Sequence, residues 1–219
     1  MNNLANISRS FSAQEFADLS KADHDEILKH DPIALSETHG DHRLNPDLSD
    51  ELRNLKLRPA AVLIPVIADE DVARVILTVR TEKLRKHSGQ VAFAGGAIDA
   101  ADASPEDAAM REAEEEIGLN ASYIETVGQL PIYRSLTGFS ITPVLALVKP
   151  GFQLQASPDE VDQIFEVPLM DLMNPDNHIR DSLIWQNKRR YFYTIKHPEQ
   201  RIWGVTAGII RTLYERLYA

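Results

Sequence analysis

The sequence predicts a mixed α/β fold, a sheet covered by helices on its faces. Three observations lead there. Residues 60–68 and 73–79 are rich in Val, Ile and Leu and read as two strands joined by a short acidic turn. Residues 105–117 carry a start signal and a stop signal for one helix. Further strand and helix patterns follow without the regular period of a doubly wound sheet.

The first 57 residues have a different texture from the rest. They are polar, rich in Asp, His, Asn and Ser, with short apolar patterns such as Phe11, Phe16 and Leu19. Helices are expected over 13–19, with Ser12 as cap, and over 24–29, with Asp23 as cap. Residues 1–57 are therefore read as an amino-terminal arm, helical or partly flexible, and 58–219 as the main domain. After the two strands come a basic stretch at 80–87, a turn at Ser88-Gly89, and a short apolar run at 90–94. Gly95-Gly96 precedes the helix over 105–117. Strands are expected near 124–130 and 141–148, a short helix near 170–174, strands at 183–185 and 191–195, and a last helix over 204–218.

The chain has 219 residues, a net charge of -10 and no cysteine. Disulfides, thiolate metal sites and thiol nucleophiles are thereby excluded. The acidic balance argues against binding nucleic-acid backbones, which needs clustered Lys and Arg. The longest apolar run is broken by Pro65 and too short for a bilayer, and the first residues lack a secretory pattern. A cytoplasmic protein with no membrane partner is expected.

Ser104 is a suitable N-cap, Pro105 suits the first helical position, Asp107 stands where a capping-box acid belongs, and Gly118 supplies a left-handed stop. At 100° per residue, Glu106, Met110, Ala113 and Ile117 fall in one stripe that can dock on a sheet. Glu112 and Glu116 lie one turn apart, Glu115 lies beside them, and Glu114 points nearly the opposite way. Clustered carboxylates repel on an isolated helix, and a hard divalent cation such as Mg²⁺ or Mn²⁺ removes that penalty. A run of acids also suits a plain solvated face. The Gly95-Gly96 loop and Arg111 beside Glu112 favour the cation.

These residues resemble the Nudix box, G-x5-E-x7-R-E-U-x-E-E-x-G-U with U aliphatic. The chain has Gly96, Asp102, then Arg111-Glu112-Ala113-Glu114-Glu115-Glu116-Ile117-Gly118-Leu119. Asp102 stands where Glu is usual, and eight residues rather than seven separate it from Arg111. Those departures resemble the coenzyme A pyrophosphatase subgroup, whose upstream signature is similar to the run from Ile76 through Thr78, Arg80, Leu84, Arg85, His87, Gly89 and Gln90 to Gly96. Ala94 replaces a usual Pro there. The segment from Trp203 to Ile210 resembles the subgroup's carboxy-terminal helix, so the likeness runs from about Pro59 to the end.

The resemblance implies a Nudix α/β/α sandwich with a mixed sheet. Metal, Mg²⁺ or Mn²⁺, would be held by Glu112 and Glu116, with Glu115 as a further ligand or a bridge to a second ion, and with the carbonyl near Gly96. The reaction implied is hydrolysis of coenzyme A to 3′,5′-ADP and 4′-phosphopantetheine by a water in line with the diphosphate. Glu115 is the first candidate for general base, and Glu160 is the second. Arg80, Arg85, Lys86 and His87, with Lys83, are candidates for gripping phosphate. Arg111 is expected to brace the glutamates, while Gly95 and Gly118 shape the loop and the helix end. Trp185, Trp203, Tyr191 and Phe192 are expected as core or interface aromatics. Two other readings stay open: hydrolysis of another nucleoside diphosphate derivative, or a non-catalytic nucleotide-sensing domain. A small coenzyme A-like diphosphate is the expected partner, and a homodimer is left open.

Overall fold

The structure, a computed structural model, describes residues 10–69, 72–83, 87–185 and 187–219, apart from the side chain of Ile33. The arm opens with α1 (Ala13–Ile27), whose N-cap Ser12 accepts a hydrogen bond from the Glu15 amide at 3.1 Å. Two helices were expected here and one forms. No Gly or Pro interrupts residues 20–23, and Asp23 pairs with Arg216 at 2.6 Å instead of capping a new helix. Short helices α2 (Pro32–Ser36) and α3 (Ser49–Asn54) complete the arm.

The main sheet begins with β1 (Arg58–Ile67) and β2 (Arg74–Arg80), both close to the expected strands. It continues with β3 (Val91–Ala92) and β4 (Gly95–Ala97), which flank the glycine turn. Helix α4 (Pro105–Ile117) follows, then β5 (Ile124–Gln129), β6 (Tyr133–Arg134), β7 (Phe139–Val148) and β8 (Val161–Pro168). The strand order is β3-β2-β1-β7-β5, with β4 paired to β1, β6 to β7 and β8 to β2. The β1–β7 pair is parallel and the others antiparallel, so the sheet is mixed. Strand β8 was not foreseen; its exposed acids and Gln hide the apolar alternation. After α5 (Leu169–Met173), a second sheet forms from β9 (His178–Trp185), β10 (Lys188–Ile195) and β11 (Ile202–Trp203), and α6 (Val205–Leu217) closes the chain.

Alternating residues of β1 divide the core. Ala61, Leu63 and Ile67 pack with Ala108, Ala109, Ala113 and Ile117 of α4. Ala60, Ile64 and Val66 face the other way, into a core shared with Phe16 of α1 and Ile209, Ile210 and Leu213 of α6. This is the α/β/α sandwich. The docked stripe of α4 differs from the expected one: Ala108, Ala109, Ala113, Glu116 and Ile117 are buried, whereas Met110 is half-buried and Glu106 bonds to Gln129. Alanines let the helix lie close to the sheet, and a longer Met side chain fits better at its margin. No helix among the described residues is long and apolar enough to cross a membrane.

Candidate active site

Helix α4 is held at both ends as its sequence demands. The Ser104 hydroxyl accepts from the Asp107 amide at 3.2 Å, and Gly118 takes a left-handed conformation at φ 68°. Beyond it, the Gln155 amide bonds to the Ile117 carbonyl and the Ser157 amide to the Glu116 carbonyl. The loop that carries Glu160 is thus tied to the end of the acid-bearing helix. The Thr81 amide donates to the Glu160 carbonyl at 2.9 Å, which brings the end of β2 to the same place.

Glu116 is turned inward, with 2% of its side chain exposed. Its carboxylate accepts from the Gly95 amide at 3.1 Å and lies 3.3 Å from the Arg80 guanidinium. Burial is the largest influence on it and pushes its pKa up to about 7, against the Gly95 hydrogen bond and the Arg80 charge, while Glu160 and Glu112 add repulsion. Glu112 is raised too, again mainly by burial, with Glu115 and Glu160 adding to it against the pull of Arg111. The fields of Glu112, Glu116 and Glu160 therefore overlap. Glu115 is 58% exposed, and Glu114 is directed away, accepting from Asn120 at 3.0 Å.

Arg111 braces this group. It forks onto Asp102 at 3.0 Å through both Nε and Nη2, reaches Glu112 at 2.9 Å and Glu115 at 3.2 Å, and also donates to the Ala97 carbonyl. Its hydrogen bond holds Asp102 below the usual carboxylate range. The unusual Asp102 has a geometric explanation: it also accepts from the Asp99 amide at 2.8 Å, so a shorter acid on a longer loop meets the guanidinium. Gly96 lies where an added Cβ would strike the Glu112 carboxylate, and Gly95 lies against the backbone of Ala61 and Val62. Gly95 has no room for a side chain, and a side chain at Gly96 would displace the Glu112 carboxylate.

On the other side of Gly95-Gly96 an open cavity of about 780 Å³ extends over β1, β3 and β7. Arg80, His87 and Gln90 stand at its rim near the glycines, with His87 Nδ1 3.0 Å from Gln90 Oε1. Phe139, Trp185, Tyr191, Phe192 and Trp203 form its apolar wall. Phe192 and Trp203 meet edge to face at 5.2 Å.

The NUDIX domain matches residues 56–187, over half the chain. The chain belongs to the Nudix hydrolase family. It is therefore an enzyme that acts on diphosphates. It is similar to proteins named Uncharacterized Nudix hydrolase NudL: those of Citrobacter koseri and of Escherichia coli strain K12 are each 40% identical over 170 residues, 78% of this chain and 87% of theirs. Among solved structures, it is similar to a Nudix hydrolase from M. smegmatis, RenU, with a TM-score of 0.49, 20% identity, and coverage of 72% of this chain and 84% of that one.

This Nudix hydrolase corrects one expectation about its aromatics. Of the core and interface roles expected for Trp185, Tyr191, Phe192 and Trp203, the core role does not hold: Trp185 is 44% exposed, and all four line the open cavity. Strands β9 and β10 form a long hairpin leaning on the arm, so their aromatics meet a groove instead of a closed interior. Lys83 turns to the loop of Glu160, donating to the Pro158 carbonyl at 3.3 Å. Arg85 and Lys86 lie outside the described residues. Sequence reasoning missed Arg58, Asp41, Asn45 and Arg190, which also line the cavity. Arg58 had a readable signal, since it shares a strand face with Ala60 and Val62.

Among the described residues, no three acid or histidine groups converge closely enough to form a ready metal cluster. Glu112 is drawn to Arg111 and Glu116 to Arg80. The donors nonetheless fit a hard divalent cation in kind. They are carboxylate oxygens whose burial and mutual repulsion already disfavour the charged form, a cost that a cation offsets.

Proposed function

We propose that the protein hydrolyses the diphosphate bond of coenzyme A or its derivatives, yielding 3′,5′-ADP and 4′-phosphopantetheine. The observation that carries this reading is the shape of the cavity. A cationic and glycine-lined end adjoins the buried carboxylates, and a long aromatic wall leads away from it. Such a groove suits a substrate that seats its diphosphate at the cationic end and lays a bulky nucleoside along the wall. The segment similar to the coenzyme A pyrophosphatase signature supplies that end, from β2 through the glycine turn.

In this reading Glu112, Glu116 and Glu115, with the Gly96 carbonyl, would hold Mg²⁺ or Mn²⁺, and Arg111 fixes Glu112 and Glu115 in place. The chemistry such an ion would supply when bound is offset of phosphate charge and a lowered pKa for the attacking water. Arg80 and His87 grip the diphosphate at the rim, where a guanidinium can bond two oxygens. We place Glu160 ahead of Glu115 as the base that takes the water's proton. Its field reaches both Glu112 and Glu116, whereas Glu115 is engaged by Arg111. Arg85 and Lys86 enter this reading as phosphate-binding residues through the resemblance alone.

The test is a substrate panel with product identification, run with each metal. Coenzyme A should release 3′,5′-ADP with a kcat/KM well above those of ADP-ribose, nucleoside diphosphate sugars and dinucleoside polyphosphates. A better rate on any of these, or no turnover of coenzyme A with either metal, overturns the proposal.

A further inference from the structure

The large cavity has a second cationic end. Arg58 opens β1 and lines the cavity with Ala60 and Val62, on the same face of the strand. Val62 pairs with Gly95 and Ala60 with Ala97, so the Cα of Arg58 stands roughly 13 Å along the sheet from the glycine turn, at about 3.3 Å per residue. Its backbone is fixed by the bond from its amide to the Gly138 carbonyl at 2.9 Å.

What distinguishes Arg58 is its lack of a side-chain partner among the described residues. In the described part of this acidic chain, the other arginines are engaged by acids, carbonyls, hydroxyls or rings, as Arg43 is by Glu215, Arg134 by the Leu52 carbonyl and Arg180 by the Tyr191 ring. Arg58 has no such side-chain contact among the described residues. A second unmet donor lies in the same cavity: the side chain of Arg190 is nine-tenths buried, pairs with Asp47 through Nη1, and leaves Nε without a partner. A buried guanidinium donor without an acceptor is costly unless a ligand supplies one.

We propose that Arg58 anchors a phosphomonoester on the substrate, remote from the diphosphate, so that the cavity selects nucleotides carrying a second, isolated phosphate. The proposal rests on the functional reading above, since a diphosphate seated at Arg80 and Gly95-Gly96 places the nucleoside between the two cationic ends. Guanidinium is suited to the task because a phosphomonoester offers several charged oxygens to its fork. Arg58 thereby becomes a specificity residue.

Binding separates this from catalysis. Calorimetric titration of the metal-free full chain with 3′,5′-ADP and with 5′-AMP should show the first bound about ten-fold more tightly, the scale of one charge-assisted contact. Arg58→Ala should bring the two ligands together, Arg58→Lys should keep part of the difference, and Arg53→Ala, a charge loss outside the cavity, should keep all of it. Circular dichroism confirms folding of each variant. Equal binding of the two nucleotides by the wild type, or a preference that survives Arg58→Ala, overturns the proposal. The panel of the preceding subsection is read separately. If coenzyme A is not hydrolysed but Arg58→Ala abolishes the preference, the subsite stands and the substrate assignment falls. If coenzyme A is hydrolysed and no preference exists, the reverse holds.

Discussion

Glu116 and Asp41 are both carboxylates pushed up by burial, and they serve different ends. Glu116 on α4 has one backbone donor, from Gly95, and one longer approach from Arg80. Asp41 in the arm is closed on both oxygens: Tyr133 donates to one at 2.8 Å and the Leu136 amide to the other at 2.8 Å. Burial raises both acids. The difference lies in what remains open around them. Glu116 sits among other acids whose repulsion a cation can relieve, whereas Asp41 has spent its acceptors on joining the arm to β6 and the following loop. A raised carboxyl is thus a site only where its charge is left uncompensated.

The sharpest way to test that contrast is to neutralise Glu116. Under the proposed metal role, Glu116→Gln should lower turnover about a hundred-fold or more, because charge stabilisation by a bound ion amounts to several kcal/mol. Glu114→Gln, on the outward face, should stay within about two-fold, the range of a surface change that touches no reacting group. The comparison is made on purified variants in saturating Mg²⁺ and Mn²⁺. Equal turnover in the two variants would remove Glu116 from the metal site.

A smaller effect is expected from the brace. Arg111→Ala leaves Asp102 and Glu112 without their guanidinium, and loss of such an orienting partner costs about 10- to 100-fold in metal affinity or activity. Titration with Mn²⁺ would show weaker binding with unchanged stoichiometry. An unaltered affinity would mean that Arg111 only stitches the loop to the helix.

The arm offers the corresponding brace on the other side. Asn45 accepts from the Tyr191 amide and donates to the Tyr191 carbonyl, both at 2.9 Å, and so holds β10 as a neighbouring strand would. Asn45→Ala strands both backbone groups and should cost about 1–2 kcal/mol of stability. Since Tyr191 and Phe192 line the cavity, KM should rise more than kcat falls. A matched loss in both would place the hairpin in the chemistry instead of in the groove wall.

These two regions also differ in how far the sequence discloses them. Much of what shapes α4 lies in one segment: Ser104 caps it, Arg111 reaches Glu112 and Glu115 within four residues, and Gly118 ends it, so spacing groups the carboxylates. The contacts of Glu116 to Gly95 and Arg80, however, come from farther away in the chain. The arm and hairpin meet across long separations. Asp41 finds Tyr133 and Leu136, and Asn45 finds Tyr191, and no local pattern announces such pairs. The aromatics of β9 and β10 were expected in the core or at an interface for the same reason: their alternation tells which faces are apolar, not whether a face closes on a core or an open groove. Arg58 was legible in part, through its parity with Ala60 and Val62, but its lack of a partner among the described residues is a fact of three dimensions.

The smallest expected effect concerns pH and Asp41 itself. Its pKa is raised by burial, only partly countered by the Leu136 amide, Tyr133 and nearby His42. A group raised in the folded state contributes stability that is fully present below its unfolded pKa and is lost as pH rises through the folded value. Asp41 should therefore weaken the fold progressively above the ordinary carboxylate range. Asp41→Asn keeps an acceptor for the Leu136 amide and offers its own donor to the Tyr133 hydroxyl, without the charge. Its melting temperature at pH 8 should equal or slightly exceed that of the wild type, and the pH dependence of the difference should flatten. A marked fall at pH 8 would show that the charged form stabilises the joint, and would make Asp41 a second acid whose ionisation the protein needs.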